Sequence, residues 1–420
     1  MTILWITNGL LPEAKALLGR EEEVKGTGGW VMALLNSLRM EGSLKIHLAA
    51  ISDLVKEYTI VEGKNVIYHA IPKGKGDRKY NPDYEILYKK ICDDINPNII
   101  HIHGTEYPHS LAALRACGKD RTVISLQGLV SVIARYNNGG ISKWEAFKNL
   151  TFHDIVRGGI IRQQMQMYKS GEYEKDIIKE CKYVIGRTTF DQEHAWALNP
   201  NAHYFHCDEV LRQEFYESRA WDYSQCNPHS IFMSQSAFPI KGVHKVIEAL
   251  GIVIKLYPDI QLRVAGRDLT WRNGTWKDNF RLTGYGKIVR NLIRENNLEE
   301  NVTFTGSLNA DGMIAEYLKT NVFICPSSIE NSPNSLAEAQ LLGVPCLGSY
   351  VGGIPDMMKS DMEHLYRFDD VEMLAYKICE IFNRGAAINT AEIRNEAKAR
   401  HNSEKAVREL ITAYNSIISK

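Results

Sequence analysis

The sequence predicts an α/β protein built from two parallel-sheet domains. Short apolar runs typical of buried strands alternate with amphipathic helical patterns along most of the chain, the order that gives parallel sheets covered by helices. The alternation lapses around 221–228 and resumes with an apolar run at 231–233. A chain of 420 residues, 44% of them hydrophobic, is long enough to bury two cores. We therefore expect domains at 1–220 and 229–400.

Composition narrows the range of partners. Lys plus Arg and Asp plus Glu each number 50, so no net charge draws the chain to nucleic acid, and we expect no nucleic-acid partner. Eight cysteines lie scattered without a Cys-x-x-Cys pair, which is typical of reduced thiols in a cytosolic protein. The first residues form a strand-like pattern, and no run of about 18 apolar residues occurs. We expect a cytoplasmic protein without an export signal.

The first domain contains a regular series of predicted strands and one glycine-rich helix start. Strands are predicted at 3–7, 44–51, 66–71, 98–103, 122–126, 183–186 and 203–206, with helices near 84–95 and 188–198. A polar loop over 8–25 leads to Gly26-Thr27-Gly28-Gly29, where a ligand can approach the backbone closely. A dinucleotide fingerprint would need glycine at Val31, so that motif is excluded. The glycines could also serve only to reverse the chain.

Three polar residues stand at the carboxyl end of the strand predicted over 98–103. Ligands of open α/β sheets bind outside the carboxyl ends of the strands. His103, Thr105 and Glu106 are therefore predicted to face the ligand crevice, on the acceptor side. His103 could equally be a hydrogen-bonded core histidine.

Residues 130–170 form a basic segment studded with aromatic residues. They include six Lys or Arg but two acids, interleaved with tyrosine, tryptophan, phenylalanine and isoleucine. This composition is typical of contact with an anionic membrane surface or a lipid diphosphate acceptor. An ordinary solvated helical face is the alternative, and both interpretations stay open.

The second domain begins its own series of strands and helices at 231. Strands are predicted at 231–233, 262–265, 301–305 and 322–325, and helices near 243–254, 371–382, 391–399 and 404–418. The Lys241-Gly242 pair opens the first of these helices. The polar insertion 267–287 carries aromatic residues and is assigned to the rim of the site.

A strand, loop and helix at 322–342 form the centre of the prediction. The apolar strand ends at Pro326, and Ser332 is the predicted N-cap of a helix with Pro333 at its first position. The helix ends at Gly343.

Two carboxylates frame the start of that helix. Glu330 lies in the loop and Glu338 about two turns into the helix, and the N–H groups of Asn334, Ser335 and Leu336 between them are suited to phosphate. A ligand with hydroxyl groups on both sides of its phosphates fits two acids placed in this way. A nucleotide sugar meets that description.

The Glu-x7-Glu pattern, followed by Gly343-Val344-Pro345 and Gly352-Gly353-Ile354-Pro355-Asp356, resembles the retaining glycosyltransferases of family four. The resemblance implies the GT-B fold: two Rossmann-like domains facing a cleft, with the C-terminal helix, 401–420, crossing back to the first domain. It also implies transfer of a sugar from a nucleotide-sugar donor to a glycan or lipid-linked acceptor with retention of anomeric configuration. We expect this activity to serve cell-surface polysaccharide biosynthesis, with any membrane contact at the inner face through 130–170.

The resemblance implies roles for several residues of the second domain. Glu330 orients the donor sugar, Glu338 holds the ribose, and Lys241 neutralises the leaving diphosphate. The family carries an arginine six residues before the lysine, where this chain has Gln235. Arg267 is the candidate to replace that arginine.

Further donor contacts are implied on the first domain. Gly28 and Gly29 would face the donor phosphates or the acceptor. Gln127 stands where many members carry a histidine, and glutamine cannot transfer a proton, so its role would be positional.

No Asp-x-Asp sequence occurs, so we expect neither a metal nor any cofactor besides the donor. Two alternatives remain. The chain could be a non-catalytic nucleotide-sugar-binding partner in a glycan-assembly complex, as Gln127 and Gln235 would allow. It could also be another GT-B enzyme such as a nucleotide-sugar epimerase, although Gln127 counts against an enzyme that needs several acid/base groups.

Overall fold

A computed structural model describes residues 1–20, 29–40, 42, 44–74, 79–272, 274–275, 278 and 280–420. The chain forms two compact units. Unit 1 contains residues 1–132, 167–211 and 401–420, and unit 2 contains 133–166 and 212–400. Among the described residues, no helix combines the length and apolar character that crossing a membrane requires.

Unit 1 is organised around an eight-stranded sheet in the order β3-β4-β2-β1-β5-β6-β7-β8. All neighbouring pairs are parallel except β3 and β4. Ile6 of β1 lies opposite Ala49 on one side and Ile102 on the other, so the carboxyl ends of three central strands lie at one edge. The strands are β1 (Thr2–Thr7), β2 (Lys45–Ser52), β3 (Thr59–Gly63), β4 (Val66–Pro72), β5 (Ile99–His103), β6 (Thr122–Ser125), β7 (Tyr183–Gly186) and β8 (His203–His206).

Unit 2 contains a six-stranded parallel sheet in the order β11-β10-β9-β12-β13-β14. Its first strand, β9, has the next two strands on one side and the last three on the other. The order therefore reverses between β9 and β12, the point where open α/β sheets bind ligands. The strands are β9 (Ser230–Met233), β10 (Gln261–Val264), β11 (Val302–Phe304), β12 (Val322–Cys325), β13 (Cys346–Ser349) and β14 (Leu365–Tyr366).

Helices connect and cover the strands of both sheets. Those of the first half are α1 (Pro12–Leu17), α2 (Gly29–Arg39), α3 (Asp83–Ile95), α4 (Pro108–Cys117), α5 (Val130–Tyr136), α6 (Lys143–Lys148), α7 (Phe152–Arg157), α8 (Ile160–Glu180) and α9 (Thr189–Leu198). Those of the second half are α10 (Gln213–Glu217), α11 (Val243–Val253), α12 (Gly284–Glu295), α13 (Ala310–Lys319), α14 (Asn334–Leu342), α15 (Ile354–Met357), α16 (Val371–Arg384), α17 (Thr390–Arg400) and α18 (Ser403–Ile418).

The end of the chain is part of the core of unit 1. Leu410 and Tyr414 of α18 are buried with Trp5 of β1. The Trp5 indole N–H donates to the Tyr414 hydroxyl at 3.0 Å, and His101 Nδ1 lies 2.6 Å from the same oxygen. The last helix thus returns to the first unit, the position that the resemblance implied.

The structure corrects the predicted extent of the first domain, because residues 133–166 pack with unit 2. Ile141 and Ile160 belong to the hydrophobic core of unit 2. His244 Nε2 lies 2.9 Å from the Gly139 carbonyl oxygen, and Asp154 accepts the Gly284 N–H at 2.7 Å. These contacts join positions about 100 residues apart, so the order of elements along the chain could not show them.

Other local predictions also differ from the structure. The polar loop predicted over 8–25 contains helix α1, and an unpredicted antiparallel edge strand, β3, precedes β4. The expectation that all eight cysteines are free is wrong for one pair. Cys92 of α3 and Cys117 of α4 form a disulfide, because these adjacent helices bring their Cα atoms within 6.2 Å.

Candidate active site

The point where strand order reverses in unit 2 carries an ion pair between two predicted site residues. Lys241 ends a short 3₁₀ helix after β9, and Glu330 lies in the loop after β12. Lys241 Nζ contacts Glu330 Oε1, which also accepts the Ser327 hydroxyl at 3.0 Å. The two side chains are 23% and 17% exposed, so a ligand can still reach them. Neighbouring strands bring together two residues that lie 89 positions apart in the sequence.

The electrostatics of this pair keep the lysine charged. Burial alone would lower the Lys241 pKa, but attraction to the Glu330 carboxylate and the hydrogen bond between them outweigh it. The Lys241 pKa is therefore raised above its ordinary value. The site presents a fixed positive charge at neutral pH.

Two glycines allow the loops around the pair to approach closely. Gly242 and Gly352 adopt φ values of +72° and +53°, which disfavour residues with a side chain. A Cβ at Gly242 would overlap the Pro326 carbonyl, and one at Gly352 would overlap the Glu330 carbonyl. The Gly353 N–H donates to that same Glu330 carbonyl at 3.0 Å. Gly352 and Gly353 therefore hold the backbone of Glu330 in place.

Helix α14 begins one residue later than predicted. Pro333, rather than Ser332, is the N-cap, and it provides no side-chain cap. The Leu336 N–H donates to the Pro333 carbonyl at 3.0 Å, while the Leu336 side chain is buried in the core. Leu336 is thus already engaged, and the N–H groups of Asn334 and Ser335 remain as the predicted phosphate donors. The Tyr317 hydroxyl donates to the Ser335 carbonyl at 2.8 Å and supports this turn.

Glu338 is buried and paired with an arginine that sequence reasoning missed. Arg212 donates through Nε and Nη2 to Glu338 Oε1 at 2.8 and 2.7 Å. Burial raises the Glu338 pKa to about 7, while Arg212 opposes the rise. The Arg212 guanidinium lies 4.7 Å from the Phe215 ring centroid, which fixes its direction. No local motif marks Arg212, because it lies 126 residues before its partner.

The other residues predicted for donor binding in unit 2 lie at the same sheet edge. Gln235 is exposed in the loop after β9, and Arg267 is exposed after β10. Arg267 stacks on Trp271 with its guanidinium carbon 4.2 Å from the ring centroid. Part of the insertion assigned to the rim is core instead, because Tyr285 is buried and lies 3.1 Å from His244 Nδ1.

Unit 1 has a cavity of about 450 Å³ at the carboxyl edge of its sheet. His103, Glu106 and Gln127 line it, as the position of their strands predicted. Lining residues that were not predicted come from the ends of the other strands and from α1: Asn8, Lys15, Asp53 and Lys73. Asn8, Asp53 and Lys73 each follow the end of a strand, and applying the strand-end rule to β1, β2 and β4 would have found them.

His103 is buried and lines the cavity. Its ring is buried, stacks on His101 at a centroid distance of 3.8 Å and meets the edge of Trp5 at 4.3 Å. Burial, with the nearby His101 and Arg187, lowers the His103 pKa well below its ordinary value. His103 therefore contributes a neutral imidazole to the cavity wall.

Glu106 is the acid of this cavity. Burial raises its pKa to about 7, against the opposing effect of hydrogen bonds from its own backbone and from Asn8. The Asn8 side-chain amide donates to Glu106 Oε2 at 3.0 Å. A carboxyl group with this pKa can exchange a proton near neutral pH.

Thr105 does not line the cavity, contrary to the prediction. Its hydroxyl is buried and donates to Glu174 Oε2 at 2.9 Å. The buried Glu174 carboxylate also accepts N–H groups of Val130 and Ser131 at 2.9 and 2.8 Å. Thr105 is therefore part of a buried hydrogen-bond network.

A buried arginine lies behind Gln127. Arg187 Nη2 donates to Gln127 Oε1 at 2.8 Å and pairs with Glu209 Oε1 at 2.8 Å. Both members of the ion pair are almost fully buried. The Gln127 amide is thus oriented by a charged donor, in keeping with a positional role.

The structure describes one of the two glycines that were predicted to contact the donor or the acceptor. Gly28 lies outside the described residues, and Gly29 is the first residue of α2.

Within the described ranges, Asp361, Glu363 and His364 place potential metal-ligand atoms within 4.8 Å of one another. Asp361 is paired with His364 at 2.5 Å and Glu363 with Arg384 at 2.6 Å, so internal partners already occupy these atoms.

Parts of the chain are similar in sequence to known proteins. Residues 224–413 match the family described as Glycosyl transferases group 1. Over 170 residues the chain is 28% identical to the sulfoquinovosyl transferase SQD2 of Arabidopsis thaliana, covering 39% of this chain and 28% of that protein. The match therefore spans less than a third of that relative.

Solved structures resemble the whole chain. The sucrose-phosphate synthase of Thermosynechococcus elongatus has a TM-score of 0.70 at 16% identity, covering 100% of this chain and 99% of that one. HepE of Anabaena in complex with UDP-glucose has a TM-score of 0.62 at 14% identity, covering 99% and 100%. At such identities the likeness shows the fold alone. The whole chain has the GT-B fold of these structures, and its region 224–413 matches the glycosyl transferases group 1 family.

Proposed function

We propose that this chain transfers a sugar from a nucleotide-sugar donor to a glycan or lipid-linked acceptor, with retention of anomeric configuration. The observation that carries the proposal is the Lys241–Glu330 ion pair where strand order reverses in unit 2. The uncapped start of α14 and the Arg212–Glu338 pair belong to the same unit. A cation, two carboxylates and helix N–H groups match the parts of a nucleotide sugar.

The donor's parts have separate partners in this proposal. The diphosphate binds the N–H groups of Asn334 and Ser335, where the helix dipole favours negative charge. Glu338 accepts hydrogen bonds from the ribose hydroxyls, and Glu330 from the sugar hydroxyls. HepE, which shares the fold, is described in complex with UDP-glucose, and this supports a nucleotide sugar as the donor.

The reaction replaces one bond to the anomeric carbon with another and transfers one proton. The bond between the anomeric carbon and the diphosphate oxygen breaks, and its electron pair stays on the diphosphate. The acceptor hydroxyl oxygen attacks the same face of the sugar, and its proton passes to the leaving phosphate oxygen. Lys241 stabilises the negative charge that grows on the diphosphate, because its charge is fixed before reaction. Glu330 orients the sugar and does not attack it.

We propose that the cavity of unit 1 receives the acceptor. Glu106 can accept a hydrogen bond from an acceptor hydroxyl, and His103 and Gln127 can orient neighbouring groups. The proposed process is cell-surface polysaccharide biosynthesis on the cytoplasmic side of the membrane. We also propose that no metal or other cofactor takes part.

Incubation with a panel of nucleotide sugars tests the function. We expect one nucleotide sugar to raise the unfolding temperature, since a ligand at 100 times its dissociation constant adds roughly 2.7 kcal/mol of stability. The same compound should be hydrolysed slowly without acceptor, and Glu330→Gln should reduce that hydrolysis. Stabilisation without hydrolysis or transfer would contradict catalysis and favour the non-catalytic binding partner.

A further inference from the structure

One surface of unit 2 exposes a large amount of apolar side chain. We call it the α6–α7 surface and define it by Trp144, Phe147, Phe152, Ile155, Val156 and Met165. Trp144 and Phe147 are 64% and 62% exposed, and Ile155 is 73% exposed. Spacings of three and four residues place the members of each helix on one face. Contiguous exposed apolar surface of this kind marks an interaction site.

The opposite side of the segment that carries α6 and α7 packs on the core of unit 2. Ile141 and Ile160 are buried in the core of unit 2. The Asp154 carboxylate accepts the Gly284 N–H at 2.7 Å and closes a capping box with Thr151 at the start of α7. The outward direction of the apolar side chains is therefore determined by packing.

Aromatic contacts connect neighbouring side chains within the surface. The Trp144 and Phe147 rings stack with centroids 6.1 Å apart. Phe152 meets the edge of Phe280, which is itself 54% exposed, at 5.7 Å. The patch thus extends beyond α6 and α7 to the loop before α12.

Basic residues surround the patch. Lys143, Lys148, Arg157 and Arg162 are exposed, whereas Glu145 is the exposed acid of the segment. Lys148 Nζ lies 5.1 Å from the Trp144 ring centroid, so charge and aromatic surface are interleaved. The outer face differs from an ordinary solvated helical face, which is polar.

We propose that the α6–α7 surface binds an anionic lipid bilayer. Apolar and aromatic side chains would enter the boundary between headgroups and acyl chains, and Lys and Arg would contact anionic headgroups. Trp, Phe, Met and Arg are also enriched in protein interfaces, but lysine is depleted there, and the two exposed lysines of α6 favour the bilayer. Helices of six residues lie along the membrane plane and do not span it. The proposal stands on this surface and is independent of the sugar chemistry.

Co-sedimentation with vesicles tests the proposal. We expect the full chain to bind phosphatidylcholine vesicles that contain phosphatidylglycerol, to bind pure phosphatidylcholine weakly, and to dissociate as salt is raised. Two double variants, Ile155→Ser with Val156→Ser and Lys148→Glu with Arg157→Glu, should each lower the partition coefficient on the order of tenfold. Leu256→Ser is the matched control, since Leu256 is an apolar residue of unit 2 with 71% exposure outside the patch, and it should bind like the unchanged chain.

Three results would overturn the proposal. The first is absence of binding to anionic vesicles, and the second is an equal loss of binding in Leu256→Ser. The third comes from sedimentation velocity. A dimer that is lost in the Ile155→Ser, Val156→Ser variant would assign the surface to a second copy of the chain.

Discussion

At the scale of single residues, the site depends on charges placed where water is largely excluded. Lys241 and Glu330 neutralise each other before a donor binds, and burial of both strengthens the interaction. Arg212 performs a similar task for Glu338. Lys241, Glu330 and Glu338 were predicted from sequence motifs, whereas Arg212 was not, and the geometry of each carboxylate depends on its basic partner.

Lys241→Ala should lower kcat on the order of a hundredfold, as for other groups that stabilise charge in a transition state. Glu330→Gln should also lower kcat but leave nucleoside diphosphate binding nearly unchanged, because the nucleoside diphosphate lacks the sugar. Steady-state kinetics and calorimetric titration of each variant measure these effects. Lys245→Ala is the control, since Lys245 pairs with Glu248 in the same unit. Equal effects of Lys241→Ala and Lys245→Ala would contradict a catalytic role.

Arg212→Met should move the pH dependence of donor binding to higher pH. Ribose hydroxyls donate to an ionised Glu338, whose pKa is already raised to about 7 by burial. Donor affinity should therefore fall in the unchanged chain as pH drops through 7. Without Arg212 the pKa rises further, so the fall should begin at higher pH. Calorimetry across this range measures both curves. Arg212→Lys should restore part of the original profile, and parallel profiles for all three proteins would refute the assignment.

At the scale of elements, the candidate site residues of unit 2 lie mostly on loops that follow strands, and glycines allow these loops to approach one another closely. The loop after β12 passes so close to Gly352 that only a residue without Cβ fits. The Gly353 N–H then holds the Glu330 carbonyl at 3.0 Å. A change in this glycine pair should act on catalysis through the position of Glu330.

Gly352→Ala should displace Glu330 and lower kcat by more than it lowers stability. Gly118→Ala is the matched control, because Gly118 also has positive φ, +77°, yet a Cβ there would meet no atom within 4 Å. Both changes place a Cβ on a backbone of positive φ, which costs on the order of 1 to 3 kcal/mol. Kinetics and thermal unfolding of the two variants separate strain from displacement. If the two lose activity equally, the contact with Glu330 has no catalytic importance.

At the scale of the whole molecule, each unit has a candidate ligand site at the carboxyl edge of its own sheet. Unit 2 holds the cation and carboxylates proposed for the donor, and unit 1 holds the cavity proposed for the acceptor. The last helix, α18, is built into the core of unit 1 through Tyr414. In the proposed function, side chains and a helix terminus of unit 2 supply the positive charge that meets the diphosphate.

Transfer or donor hydrolysis should persist in excess EDTA, because Lys241 and the start of α14 are proposed to meet the charge of the diphosphate. The measurement is the rate of product formation with and without chelator, after dialysis against it. Loss of the rate on chelation and its return with Mg²⁺ or Mn²⁺ would overturn this proposal.

The sequence by itself determined the α/β class, most strands, and the strand, loop and helix that carry Glu330 and Glu338, because apolar periodicity and turn residues act over a few positions. The rule that ligands bind at the carboxyl ends of strands also indicated His103 and Glu106, and the family resemblance indicated Gln127; all three line the cavity of unit 1. Only the tertiary structure decided that Lys241 meets Glu330, that Arg212 meets Glu338, that Thr105 turns inward, and that 133–166 joins unit 2. These outcomes depend on strand order and on packing between residues about 90 to 130 positions apart, for which local periodicity carries no signal.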